Sequence, residues 1–150
     1  MSLTLQVIQV SEIEEILDYE NRRLVETVPN EEDRMFEAWH SKWRKEALEH
    51  YLPMGWSFLA RDSDGSLAGY FLGQPLLFFD GQTQSLWVEH LQSSSLQARD
   101  SLTELAYKLS REKHFQRVYF PNNPKILNSV KPYKPEEWNP TTLFIKTTKA

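Results

Sequence analysis

Apolar and polar residues alternate from Leu3 to Val10, with Leu3, Leu5 and Val7 set against Thr4 and Gln6, the period of a strand. At Ser11 the period changes. Ser11-Glu12-Ile13-Glu14 has the spacing of a capping box, and Ile13, Ile16, Leu17 and Leu24 recur at helical intervals, so a first helix is expected to run to about Val28 and stop at Pro29. Asn30 is placed to cap a second helix with the acidic first turn Glu31-Glu32-Asp33; Phe36, Trp39, Trp43 and Ala47 form one stripe along it before Pro53 and Gly55. Residues 56–61, 67–79 and 83–91 read as three antiparallel strands in succession, joined by turns at Asp62-Ser63-Asp64-Gly65 and Asp80-Gly81. Pro75 has no N–H to give a ladder, so an edge, a bulge or a bend is expected there. Ser94-Ser95-Leu96-Gln97 is a second capping-box spacing, and Ala98, Leu102, Leu105 and Leu109 carry a third helix to near His114. A short strand over 117–120, a brief helix opening at Asn123-Pro124 and a last strand at Leu143-Phe144-Ile145 complete the chain.

The resulting order, β-α-α-β-β-β-α-β-α-β, argues an α+β fold: a mixed, mainly antiparallel sheet flanked by helices. The strand–helix–strand unit over 98–120 is expected to be a right-handed parallel crossover. At 150 residues the chain is expected to be a single domain over 1–150 with a core of its own. Without cysteine there is no disulfide, zinc ribbon, thiol nucleophile or iron–sulfur cluster, and a reducing, cytoplasmic location is expected. No signal peptide is evident at Met1-Ser2-Leu3-Thr4, and no run is long and apolar enough for a bilayer, so no membrane association is expected. A net charge of −4 with basic residues dispersed among acidic ones removes nucleic acid from the expected partners. Five tryptophans and an aromatic content of 13% imply an aromatic core or an aromatic-lined cleft, with the core as the usual destination.

Chemistry concentrates where the third antiparallel strand, ending Glu89-His90-Leu91, passes through Ser93-Ser94-Ser95 into a helix. A helix N-terminus offers unpartnered N–H groups and a partial positive charge, which suit a phosphate. Over nearly its whole length the order of elements also resembles that of the GNAT acetyltransferase superfamily. The resemblance implies acetyl-coenzyme A (acetyl-CoA) as cosubstrate, its pyrophosphate on this loop, and direct acetyl transfer to a small-molecule or peptide amine. The family's loop has the form Arg/Gln-x-x-Gly-x-Gly/Ala. Two registers fit here, Gln92-Ser93-Ser94-Ser95-Leu96-Gln97 and Ser94-Ser95-Leu96-Gln97-Ala98-Arg99, the second keeping Leu102 at an apolar helix position. Neither supplies glycine, and the larger side chains restrict positive φ and close approach of a ligand. Serine hydroxyls and Arg99 remain as phosphate donors. The implied cofactor-binding set is Val88, His90, Leu91, Ser94, Ser95, Gln97, Ala98, Arg99 and Asn123, the strand residues facing the pantetheine arm.

Acyl transfer to an amine needs a base for the ammonium proton and an acid for the departing thiolate. By the resemblance these are Glu89 and Tyr133. In a regular strand Glu89 and His90 point to opposite faces, so only one reaches the cleft unless a bulge intervenes. Trp39, Trp43 and Tyr51 are candidates to line the acceptor side. Residues 131–140 leave little room for the family's last two strands, so one is expected to be missing or supplied by a second subunit, a homodimer. The competing function is a catalytically inactive GNAT-like module that binds a ligand or protein through the same cleft. Glu37-x-x-His40 has half of a di-iron spacing without a second copy, and no metal is expected; His-Glu-x-x-His, Walker and Gly-x-Ser-x-Gly motifs do not occur.

Overall fold

The computed structural model describes residues 2–147, built around one seven-stranded sheet in the order β1-β2-β3-β4-β5-β7-β6. The strands are β1 Thr4–Val7, β2 Phe58–Arg61, β3 Leu67–Phe79, β4 Gln82–Ser93, β5 Arg117–Pro121, β6 Glu136–Asn139 and β7 Thr142–Lys146. All neighbouring pairs are antiparallel except β4 and β5. The helices are α1 Ile13–Thr27, α2 Glu31–Trp39, α3 Lys45–Tyr51, α4 Leu96–Glu112 and α5 Pro124–Val130. The α+β class and the mainly antiparallel sheet agree with the sequence pattern.

Two cores form, one on each face of the sheet. Phe71, Leu86, Val88 and Phe120 are buried with α4 residues Ala98, Leu102 and Ala106 and α5 residues Ile126 and Val130. On the other face Leu59, Tyr70 and Leu72 are buried with Ile13 and Ile16 of α1 and with Trp43, Leu48 and Tyr51. Arg61 on β2 fixes α1 to the sheet from outside, gripping both carboxylate oxygens of Glu15 at 2.6 and 2.7 Å and one of Glu12 at 2.7 Å. Such a forked contact is the strong form of a surface ion pair.

Three expectations are corrected. The capping box lies two residues before the Ser11 spacing and opens a 3-10 turn over Val10–Glu12 that leads into α1: the Gln9 backbone N–H donates to Glu12 Oε1 at 2.7 Å, and Glu12, at the start of α1, gives that helix no side-chain cap. The second helix is two helices. Asn30 caps α2 as expected, accepting from the N–H groups of Glu32 and Asp33. At its far end Ser41 Oγ donates to Ala38 O at 2.8 Å and the His40 ring bonds Phe36 O, side-chain competition that ends the helical ladder. The Phe36–Ala47 stripe is therefore broken: Phe36 and Trp39 are 67% and 73% exposed, whereas Trp43 is buried. Finally, neither a missing strand nor a borrowed one is needed at the C-terminus. β6 and β7 form a hairpin around Pro140-Thr141, closed by Asn139 Oδ1 accepting from the Thr141 N–H at 2.9 Å.

Candidate active site

Between β4 and β5 the sheet opens. The parallel pairing holds for Ser85–Arg117, Leu86–Val118 and Trp87–Tyr119 and then ends, although β4 continues to Ser93 and β5 to Pro121. Beyond Trp87 the facing backbone edges have no partner strand, and unpaired N–H and C=O groups on such an edge are a template for an extended, amide-bearing ligand. Two cavities follow one another along this opening. At its crotch lies one of about 190 Å³, walled by Trp87, Val88, Glu89, Phe120 and Trp138. Further out, one of about 620 Å³ lies between the end of β4 and the start of α5, bordered by His90, Leu91, Ser93, Arg99 and Asn123. Four cations, Arg23, Lys42, Arg99 and Lys125, border this second cavity, and among the described residues no carboxylate does. Lys42, from the break between α2 and α3, reaches both. Phe120 belongs to the core and Trp87 stacks on Tyr119, so the opening is not filled by its own walls.

Solved structures share this architecture. The PaiA N-acetyltransferase of Thermoplasma acidophilum, solved in complex with coenzyme A, superposes over 99% of this chain and 100% of its own with a TM-score of 0.67 at 14% identity. A GNAT-family acetyltransferase of Listeria monocytogenes matches 96% of this chain and 93% of its own at 14% identity, TM-score 0.64. The polyamine N-acetyltransferase of Drosophila melanogaster matches 97% and 99% at 12% identity, TM-score 0.64. The fold is that of the GNAT acetyltransferases. No family model and no curated protein matches the sequence.

The strand-to-helix passage of this GNAT fold is built without glycine and without strain. β4 stays in its ladder to Ser93, opposite Gly69, and the Ser94 N–H extends it by donating to Ala68 O at 2.8 Å. Ser95, extended at φ −147°, caps α4 by accepting from the Ala98 N–H at 3.1 Å, one residue later than the spacing Ser94…Gln97 indicated. No residue between Gln82 and Lys113 has a positive φ. The close approach falls instead to Gly69 on β3, where a Cβ would stand 2.8 Å from Gln92 O. Ser94 Oγ is engaged by the Tyr19 hydroxyl at 2.6 Å. Thus Ser94, Ser95 and Ala98 use the named groups internally, and Gln97 lies in the first turn of α4. Arg99 donates Nε to Ser129 Oγ at 3.0 Å, which fixes its guanidinium beside α5. Asn123 caps α5, its Oδ1 accepting from the Ile126 N–H at 2.9 Å.

A bulge interrupts β4. Leu72 pairs with His90 and Gly73 with Val88, leaving Glu89 as the extra residue. Val88 and Leu91 both enter the α4 core. Glu89 and His90 therefore both turn toward the α1–α3 face, where strict alternation would have separated them. Glu89 accepts from Trp87 Nε1 at 3.2 Å and meets the Tyr51 hydroxyl, which burial and this carboxylate push up to about 12. Tyr133 is elsewhere. It stacks on Tyr107 of α4 at 4.3 Å, packed with the core of the opposite face, and the structure does not bring it to Glu89.

Sequence reasoning missed Glu20. This α1 carboxylate is 1% exposed and accepts from the Tyr70 hydroxyl, from His90 Nε2 at 2.8 Å and from Arg23 Nη1 at 3.1 Å. Burial alone would raise its pKa; the His90 bond and charge, the Tyr70 bond and Arg23 outweigh burial and hold it below its ordinary 4.5. The signal was present: Glu20 sits four residues after Ile16 and four before Leu24, on the apolar stripe. Among the described residues no group of three His, Cys, Asp or Glu is arranged to hold a metal, and no helix is long and apolar enough to cross a membrane.

Proposed function

We propose that this protein is an acetyl-CoA-dependent N-acetyltransferase acting on a small primary amine by direct transfer. The observation that carries the reading is the parting of β4 and β5 after Trp87 and Tyr119, with a carboxylate at the crotch and four cations further out. A diphosphate-bearing thioester with an amide-bearing arm matches that sequence of features: strand-edge amides for the arm, cations for the phosphates, the crotch for the acyl end. The thioester supplies an activated acetyl group. Glu89, beside Trp87 and Trp138, supplies the negative charge and aromatic surface that hold an ammonium group near the crotch. The neighbouring folds point the same way, one solved with coenzyme A and one a polyamine N-acetyltransferase.

A second reading, a binding module without turnover, is favoured by the strand-to-helix passage, whose Ser94 and Ala98 N–H groups are already engaged. Titration calorimetry with acetyl-CoA tests the first step of the enzyme reading. Arg99→Ala and Lys125→Ala are each expected to weaken binding about 10-fold, the size of a lost charge-assisted contact. Turnover against a panel of primary amines, read as free thiol released, separates enzyme from binder. Absence of binding to acetyl-CoA by the unaltered protein overturns the enzyme reading and leaves the binding module.

A further inference from the structure

We infer that His90, held in one tautomer by the buried Glu20, is the group that takes the proton from the incoming ammonium; this rests on the acetyltransferase reading above. Glu20 is ionised and wrapped by donors, and a carboxylate in that state only accepts hydrogen bonds. The proton between it and His90 therefore sits on Nε2, which leaves Nδ1 as a bare lone pair with no partner among the described residues. An edge contact with the Tyr70 ring, centroids 5.6 Å apart, holds the imidazole plane.

Position matches chemistry. His90 stands in the wall between two spaces, the basic cavity on one side and, on the other, a cavity of about 390 Å³ under the α2–α3 break, bordered by Phe36, His40 and Trp43. The first suits the diphosphate and the amide-bearing arm of the thioester, and Lys42 borders both spaces as well as the crotch that takes the acyl end. Glu89, by contrast, already has its carboxylate engaged by Trp87 and Tyr51. The proton ledger closes with one base. The ammonium gives one proton to His90 Nδ1; the neutral nitrogen forms its bond to the acyl carbon as the carbon–sulfur bond breaks; the second nitrogen proton goes to the departing sulfur, and His90 returns its proton to water. Glu20 is then a positioning residue, which also stabilises the transient imidazolium.

The charged and titratable groups that face His90 are Glu20, Arg23 and Tyr70 on the buried side. Glu37, His40 and Lys42 act from the α2–α3 segment, Glu89 from its own strand, and Arg99 and Lys125 from across the basic cavity. The test is the pH profile of kcat/KM for acetyl transfer in the intact protein, on whichever amine of a primary-amine panel turns over, for the natural sequence, His90→Gln and Glu20→Gln. Expected are a rising limb in the natural protein, a loss of about 100-fold or more with disappearance of the limb in His90→Gln, and a displaced limb in Glu20→Gln. Acetyl-CoA affinity, measured alongside, reports the cofactor cleft separately. Turnover by His90→Gln within about 3-fold of the natural protein, limb unmoved, overturns the assignment while the acetyltransferase reading stands. An unaltered protein that neither binds acetyl-CoA nor transfers overturns both. Should the variants fail to fold, nitrogen-15 shifts of the His90 ring in the natural protein decide. Titration at the pH of the kinetic limb, with Nε2 protonated in the neutral form, supports the assignment. A gap of more than about one unit between the two overturns it.

Discussion

Glu20 is a buried charge whose stability is entirely conditional on its neighbours. Desolvating a carboxylate costs several kcal/mol, and here Tyr70, His90 and Arg23 offset that cost together. Replacing it by glutamine keeps the shape but turns an amide toward donors that want a charge, so Glu20→Gln is expected to lose about 1–3 kcal/mol at neutral pH in urea unfolding. The sign of the pH effect follows from the lowered pKa. Folded Glu20 holds its proton less tightly than the unfolded chain does, so its contribution is full above the ordinary 4.5 and fades as pH falls through the folded value. The stability difference between the natural protein and Glu20→Gln is therefore expected to shrink on acidification. Glu15, lowered by its Arg61 hydrogen bond, titrates in both proteins and cancels in that difference. At this scale the sequence was legible where one residue does one job: Asn30 and Asn123 are caps because their short polar side chains reach back to N–H groups, whereas the serine cap of α4 fell one residue later than its spacing indicated. It was illegible for Tyr133 and Ser94, whose partners Tyr107 and Tyr19 come from distant turns of the chain.

At the scale of elements, the bulge in β4 does what regular alternation cannot: it puts Glu89 and His90 on one face while Val88 and Leu91 share the other. Its partner is Gly73, whose N–H donates to Ser57 Oγ at 3.1 Å and whose missing Cβ leaves room for Trp56 O, which would be 2.6 Å away. Backbone cannot yield as a side-chain tip can. Gly73→Ala is expected to cost about 1–3 kcal/mol, seen as a melting temperature lowered by at least about 3 °C, and to reduce acetyl transfer by moving the bulge. An unchanged melting temperature would show that β2 and β3 part more easily than their packing implies. Strand and helix periods were readable from apolar spacing alone, including Pro75, which lies where β3 has run past β2 and so has an open edge. The bulge was not readable, because one extra residue leaves no mark in composition and is fixed by cross-strand packing. The α2–α3 break was hidden for a related reason: Phe36, Trp39 and Trp43 have helical spacing, but only Trp43 finds a core to enter.

For the molecule as a whole, charge is distributed against its own average. The chain carries −4, yet the wall of the larger cavity presents Arg23, Lys42, Arg99 and Lys125 and, among the described residues, no acid. Net charge argues against a nucleic-acid footprint in the sequence, and it conceals this local field because the four cations are far apart along the chain and converge only when α1, the α2–α3 break, α4 and α5 meet the open end of β4. A cleft of this kind attracts a polyanion through interactions that salt screens, while the strand-edge and aromatic contacts at the crotch are indifferent to salt. Raising ionic strength from about 0.1 M to about 1 M shortens the screening length from about 10 Å to about 3 Å. Affinity for acetyl-CoA is therefore expected to fall markedly across that range. The melting-temperature increase that a ligand gives by binding only the folded state should shrink with it. Thermal melts with and without acetyl-CoA at several salt concentrations measure both at once. In Arg99→Ala the salt dependence itself should be shallower, since one of the screened contacts is already gone. A salt-independent affinity would mean that the cations do not touch the phosphates, and that the cleft grips its ligand by the strand edges alone.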